Sequence, residues 1–537
     1  MIKFFKKLKK HKKIIIKNII FNKNIYKKMK KDFHLKRTKI VATLGPSSSK
    51  KEDIKALYES GVNIFRLNFS HGTHESHGQL IDIIRSLDLN CGILLDTKGP
   101  EIRVGEVRDK LPLKLGDKFT MTIKKGVYED MKKLSVNYEG FINDVDVGDI
   151  IVIDSGVIKA RCLNKNESDL EFEVIEGQCD ITTKRHINLY GKKVSLPTVT
   201  EQDWKDIDFG IEKKVDFIAL SFVRSEKDVM EVKEHCLKKG LNISIISKIE
   251  NFESTQNLED IIKASDGVMV ARGDLSCEIS FGKVPSIQKK MVALCSYYNK
   301  PVIIATHLVL SMVENIQPTR AEVSDVGNAI LEGADAIMTS DETTKGIHPL
   351  LVIQTMVKIA KESEDSLYNL CGRPECQSCF GVLYQGKLKR KGYENIIRPK
   401  PAKAFGTKDF KSYPCGRKIL TSENIITLLP KITRGIEAIA VVTNKNDFLV
   451  ENCSSSRIDL PIIAFTNNIM ERNQLNICWN VYPIYNMNVD DDFENNIMIV
   501  DYNMKELGFW NYLFIGDVKC KNKKFVTAQV RLLSKKD

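Results

Sequence analysis

No run of eighteen apolar residues occurs in this 537-residue chain, so no transmembrane helix is expected. A disulfide framework is missing too. The thirteen cysteines are odd in number and scattered, which points to reduced thiols in an intracellular compartment. Acidic residues and arginine are absent from residues 1–31, which hold thirteen lysines. Outside that tail, 69 basic residues face 69 acidic ones, so the formal charge of +13 belongs to the tail and the body is neutral. A neutral body argues against a nucleic-acid-binding role. What remains is ordinary for a soluble globular protein, with 42% hydrophobic and 28% charged residues. The length corresponds to about three or four domains.

The basic extension, residues 1–37, cannot bury a core. Three readings compete: an organellar transit segment, a secretory signal interrupted by Lys17, and a solvated extension preceding a start at Met29. Targeting to an organelle, plastid or mitochondrion, is taken first, with the cytoplasm as the alternative. The absence of acid favours targeting; the missing Arg and Ser count against it.

From residue 38, short apolar runs alternate with helical periodicity. The runs are 39–44, 63–68, 91–96, 216–221, 243–248, 267–271, 301–306 and 335–339. Eight strands without polar alternation, buried on both faces, predict a (β/α)8 TIM barrel over 38–103 and 199–365. A doubly wound open sheet is the alternative. Residues 104–198 alternate apolar and polar with Gly-Asp turns and read as an inserted β-barrel lid domain. Residues 366–415 read as a linker or insertion. They carry Cys371, Cys376 and Cys379, with Cys415 at their end; a zinc knot is conceivable, but loop cysteines fit the spacing better. Residues 416–537 read as a C-terminal α/β domain, with a helix at 421–432 and strands at 438–443 and 461–466.

A barrel collects its chemistry at the C-terminal ends of its strands. Those ends are polar here. Arg66, Arg103 and Lys248 suit phosphate oxygens. Glu250 and Asp274 are paired carboxylates suited to a hard divalent cation. Gly273 precedes residues able to open a short helix. Cations with paired carboxylates imply phosphoryl transfer with Mg2+.

The segments TKIVATLGPSS, NIFRLNFSHG, LDTKGPEIRVG, KIENFE, ASDGVMVARGDL, PTRAEVSDVGNAI and TSDETTKG resemble, in order, the motifs of the pyruvate kinase family. The resemblance covers residues 38–365 strongly and the C-terminal domain weakly. It implies phosphoryl transfer from phosphoenolpyruvate to ADP, giving pyruvate and ATP in glycolysis. By that similarity, catalysis falls to Lys248, Arg66, Thr306, Ser340 and Glu342. Substrate binding falls to Arg66, Lys248, Gly273, Asp274 and Thr306. Nucleotide binding falls to Asn68, His71, Arg103, Arg185 and Lys345. The resemblance further implies Mg2+ on Glu250 and Asp274, and K+ on Asn68, Ser70, Asp96 and the Thr97 carbonyl. Glu101 stands in the form of its motif that goes with K+ dependence. A homotetramer is the family norm. The competing reading is a catalytically weakened paralogue serving as a binding or scaffold subunit.

The departures from the family pattern are local. His186 stands for a usual Gly, Asp341 for a usual Gly, Asp154-Ser155 for two Asp, and His307–Leu310 for a different helix-contact segment. The phosphate loop of the effector domain reads Thr443-Asn444-Lys445-Asn446-Asp447-Phe448, which argues against activation by fructose 1,6-bisphosphate.

Overall fold

The computed structural model describes residues 36–107, 110–124, 132–371, 436–443, 449–455, 457, 460–489, 493–520 and 523–532. The tail at 1–35, most of the 366–415 segment with its Cys376, Cys379 and Cys415, the helix expected at 421–432 and residues 444–448 lie outside these.

Eight strands close into a parallel barrel: β1 Lys39–Thr43, β2 Ile64–Asn68, β3 Gly92–Asp96, β4 Phe217–Leu220, β5 Ser244–Ile249, β6 Gly267–Ala271, β7 Val302–Ala305 and β8 Ala336–Thr339. Each lies within one of the apolar runs, or within a residue of it, and β1 pairs with β8, which excludes the open sheet. Burial on both faces explains the runs: every residue of β1, β3, β4, β6, β7 and β8 is buried. Local signals start the intervening helices. Thr73, Thr200 and Thr319 each cap a helix reciprocally with the side chain three residues on. The helix Arg320–Glu332 stops at Gly333, whose φ of 105° is left-handed.

The insert between β3 and β4 is β throughout its strands. Seven form one sheet, running in order through Ile102–Arg103, His186–Leu189, Ile150–Ile153, Ile158–Lys165, Asp169–Gly177, Lys118–Thr122 and Lys133–Ser135. Leu111–Leu113 pairs with Cys179–Ile181 as a separate ribbon. Alternation along Asp169–Gly177 buries Leu170, Phe172 and Val174 in a core with Phe119 and Phe141.

The C-terminal sheet takes the order β11 Val481–Tyr485, β10 Ile462–Thr466, β9 Ala438–Val442, β12 Asn511–Cys520, β13 Lys523–Leu532, with only β13 antiparallel to its neighbour. Its Ile439, Val441 and Ile462 join Val41, Leu94, Phe217 and Met269 of the barrel interior in one apolar cluster. Two barrel carboxylates at strand starts fasten this junction. Asp216 accepts from Asn473 Nδ2 at 2.9 Å, and Asp335 pairs with Arg457 at 3.0 Å. The C-terminal domain therefore covers the strand starts and leaves the strand ends to the insert.

Candidate active site

The sequence-predicted residues converge where the barrel strands end. Register places them: Asn68 on β2 is level with Asp96 on β3, and Asp96 is level with Ala219 on β4. Asp96 is fully buried and lies at the centre. Arg66 Nε donates to Asp96 Oδ2 at 2.6 Å, and Lys248 Nζ stands 3.0 Å from Asp96 Oδ1. Arg66 also donates to Thr43 Oγ1 at 3.0 Å, which fixes the guanidinium against the end of β1. Lys248 Nζ lies 3.3 Å from Glu250 Oε2, and Glu250 Oε1 accepts from the Phe222 N–H at 2.7 Å.

Buried charges this close hold one another ionised. Burial alone would raise the Asp96 carboxyl, but Arg66 and Lys248 outweigh it and hold it below the usual carboxylate range. Burial likewise works against the Lys248 ammonium, yet Asp96 and Glu250 keep it above the ordinary lysine value. Glu250 differs. Burial pushes it up to about 7 against the pull of Lys248, and the neighbouring Asp274 and Asp96 add to the rise.

Asp274 sits on the short helix Arg272–Glu278 that follows β6. The Gly273 N–H donates to Thr306 Oγ1 at 2.9 Å, tying this helix to the end of β7. Thr306 and His307 are consecutive non-glycine residues in left-handed conformation, with φ of 68° and 52°. Such strain is held by surrounding contacts: Arg272 clamps the turn by donating to the Thr306 carbonyl at 2.6 Å and to Asp325 at 2.8 Å. At the end of β8, buried Glu342 accepts from the Ser340 N–H at 2.7 Å and the Val309 N–H at 3.3 Å. Both of its oxygens are thus engaged with backbone.

The residues expected to meet a nucleotide ring the mouth and are more exposed. Three are ion-paired. Arg103 holds Glu101 through two bonds of 2.8 and 2.7 Å, Arg185 holds Asp154 at 2.8 Å, and Lys345 holds Asp341 at 2.8 Å. His71 is exposed on the turn after β2, where its carbonyl accepts from His77 Nε2 at 2.7 Å. His186 lies across from Arg103 in the lid sheet, where burial lowers its imidazole against the opposing pull of Asp274 and Glu101.

A residue-by-residue reading for charge missed Ser221. Its hydroxyl, fully buried at the end of β4, accepts from Lys248 Nζ at 2.7 Å and donates to the Thr97 carbonyl at 2.5 Å. The signal was positional: DFIALS ends on this serine, at the same strand end as the others.

Residues 35–353 match the model of the pyruvate kinase barrel domain. The chain belongs to the pyruvate kinase family. Pyruvate kinase isozyme G, chloroplastic, of Nicotiana tabacum is 43% identical over 358 residues, which cover 66% of this chain and 63% of that protein. Plastidial pyruvate kinase 3, chloroplastic, of Arabidopsis thaliana is 45% identical over 338 residues, covering 62% and 59%. The pyruvate kinase of Staphylococcus aureus strain MRSA252 is 45% identical over 341 residues, covering 62% and 57%. The chain spans about three fifths of the length of these relatives.

The donor set suits the ions this family implies. Glu250 Oε2 is buried and makes no hydrogen bond among the described residues, its charge contact being Lys248 at 3.3 Å, and Asp274 lies close enough to add to the rise of the Glu250 carboxyl. Among the described residues, no group of three or more His, Cys, Asp or Glu gathers as a metal cage. Glu250 and Asp274 are hard oxygen donors of the kind a divalent cation takes alongside water and substrate oxygens. Asn68, Ser70, Asp96 and the Thr97 carbonyl bring oxygens together at the ends of β2 and β3, where Asn68 Oδ1 accepts from the Ser70 N–H at 3.1 Å and Asp96 is held by Arg66 and Lys248.

Proposed function

We propose that this protein is a pyruvate kinase, transferring the phosphoryl group of phosphoenolpyruvate to ADP to give pyruvate and ATP. One observation carries the reading most: a buried cluster of Lys248, Arg66, Asp96 and Glu250 at the barrel strand ends, in which Glu250 Oε2 meets Lys248 but accepts no hydrogen bond among the described residues. Glu250 and Asp274 would hold Mg2+, which neutralises charge on phosphoryl oxygens. Arg66 orients the substrate phosphate. Lys248 faces the phosphoryl group while its bond to the enol oxygen breaks and its bond to the ADP terminal oxygen forms. Thr306 and the Gly273 backbone position the three-carbon unit. The enolpyruvate carbon then takes a proton, with Ser340 held at that end of the barrel by Glu342. Arg103, Arg185 and Lys345 exchange their carboxylate partners for nucleotide phosphates.

A lactate-dehydrogenase-coupled assay with Mg2+ tests this; no pyruvate formed from phosphoenolpyruvate and ADP overturns it. We propose K+ activation on Asn68, Ser70, Asp96 and Thr97. Replacing K+ by a bulky organic cation lowers the rate about tenfold or more, and equal rates in both buffers refute the K+ site.

The proposed assembly is a homotetramer, and the proposed address an organelle, in keeping with the plastidial names of two of the relatives. Fructose 1,6-bisphosphate leaves the rate unchanged within about twofold, since a charge-assisted phosphate contact must form for activation. The Thr443 hydroxyl already donates to Glu471 Oε1 at 2.6 Å, so a carboxylate occupies the start of that loop. A several-fold rise in rate on adding the sugar counts against this. The scaffold reading finds no favouring observation in the cluster, whose charged members are all in place.

A further inference from the structure

We propose that Ser221 is a positioning residue that couples Lys248 to the Thr97 carbonyl, and so to the monovalent-cation subsite. The inference rests on the pyruvate kinase reading of the same site. A lysine ammonium only donates, so the 2.7 Å contact fixes Ser221 Oγ as its acceptor. The single hydroxyl proton is then directed to the Thr97 carbonyl at 2.5 Å. The bonds run one way, from Lys248 Nζ through Ser221 Oγ to Thr97 O. A second contact, 3.4 Å from Ser221 Oγ to Asp96 Oδ1, places the hydroxyl against the carboxylate that Lys248 also meets.

The backbone holds Ser221 in place. Its N–H donates to Thr97 Oγ1 at 3.1 Å. The next residue, Phe222, is left-handed at φ 53° and aims its N–H at Glu250. Both residues back onto Gly99, where a Cβ would lie 2.8 Å from the Ser221 Cβ and 2.7 Å from the Phe222 ring. The end of β4 therefore supports Lys248 and Glu250 from two adjacent residues, the second of them left-handed. Hydrogen bonds in such a buried chain polarise one another. A cation drawing on the Thr97 carbonyl therefore shifts the bond that Ser221 makes there, and with it the orientation of the ammonium.

Ser221→Ala removes the link while leaving every charged group of the cluster. Lost bonds to charged groups correspond to a fall in kcat of about tenfold to a hundredfold. KM for phosphoenolpyruvate stays within about twofold, because Arg66 still binds the phosphate. Half-saturating K+ rises several-fold. The increase in melting temperature on adding KCl, compared with an organic-cation salt at equal ionic strength, shrinks in the variant. Ser221→Thr keeps the hydroxyl and restores both properties; if its methyl prevents folding, Ser221→Gly must reproduce the Ala result. An alanine variant with unchanged kcat and unchanged K+ response overturns the proposal. So does one that loses stability and rate together with wild-type K+ dependence, which is a structural role. A wild type that forms no pyruvate refutes the reaction instead, and the K+-dependent melting shift still reads the coupling.

Discussion

Lys248→Met lowers kcat by about a thousandfold or more, corresponding to about 4 kcal/mol of lost transition-state stabilisation. The ammonium is the buried cation shared by Asp96, Glu250 and Ser221, and Met retains the stem but not the charge. The fold survives the change for an electrostatic reason. Arg66 remains on Asp96, and Glu250, already pushed up to about 7 by burial, takes up a proton once its cation is gone. Circular dichroism and the melting transition should therefore stay close to wild type. A coupled assay at saturating Mg2+ and K+ reads the rate. Activity above about a tenth of wild type refutes the placement of Lys248 on the transferring group.

The barrel was legible in the sequence because its strands are buried on both faces. Each then appears as an unbroken apolar run ending in a polar residue, and the polar ends mark the site. The charged members were found for that reason. Ser221 escaped because a hydroxyl on a run read as apolar carries no charge to notice. The pairing of Arg103 with Glu101 was also near in sequence, Glu101 standing just before the strand Ile102–Arg103. A motif read for its cations passes over what already neutralises them. The C-terminal sheet was harder. Two of its strands were expected from their apolar runs, but β11 reads VYPIY, and an internal proline argues against a strand. The structure resolves this: among the described residues β11 pairs only with β10 and ends the sheet, so Pro483 leaves no ladder bond unmade on its open side.

Glu278→Gln makes the protein more stable at pH 8 than wild type by up to about 3 kcal/mol, with the advantage vanishing below about pH 4.5. Glu278 ends the short helix that carries Asp274 and is 6% exposed where the insert returns to the barrel. Its carboxylate accepts from the Phe252 N–H at 3.0 Å and from Asn188 Nδ2 at 3.3 Å. Those bonds do not offset desolvation, and burial pushes the carboxyl up to about 7 from its ordinary 4.5. The sign follows from the raised value. The folded state prefers the protonated form, so this group stabilises fully below its unfolded pKa and loses that contribution as pH climbs through about 7. Glutamine has no charge to desolvate and removes the loss. It retains an acceptor for Phe252, and its amide can donate to Asn188 Oδ1, which is buried without a partner. Melting temperatures of both proteins between pH 4 and 8 decide the matter: the gap should open in favour of Gln between about pH 4.5 and 7 and level off above that. A gap that stays constant, or widens in favour of Glu, means that Glu278 is ionised at little cost and that the joint between insert and barrel is wetter than its burial implies.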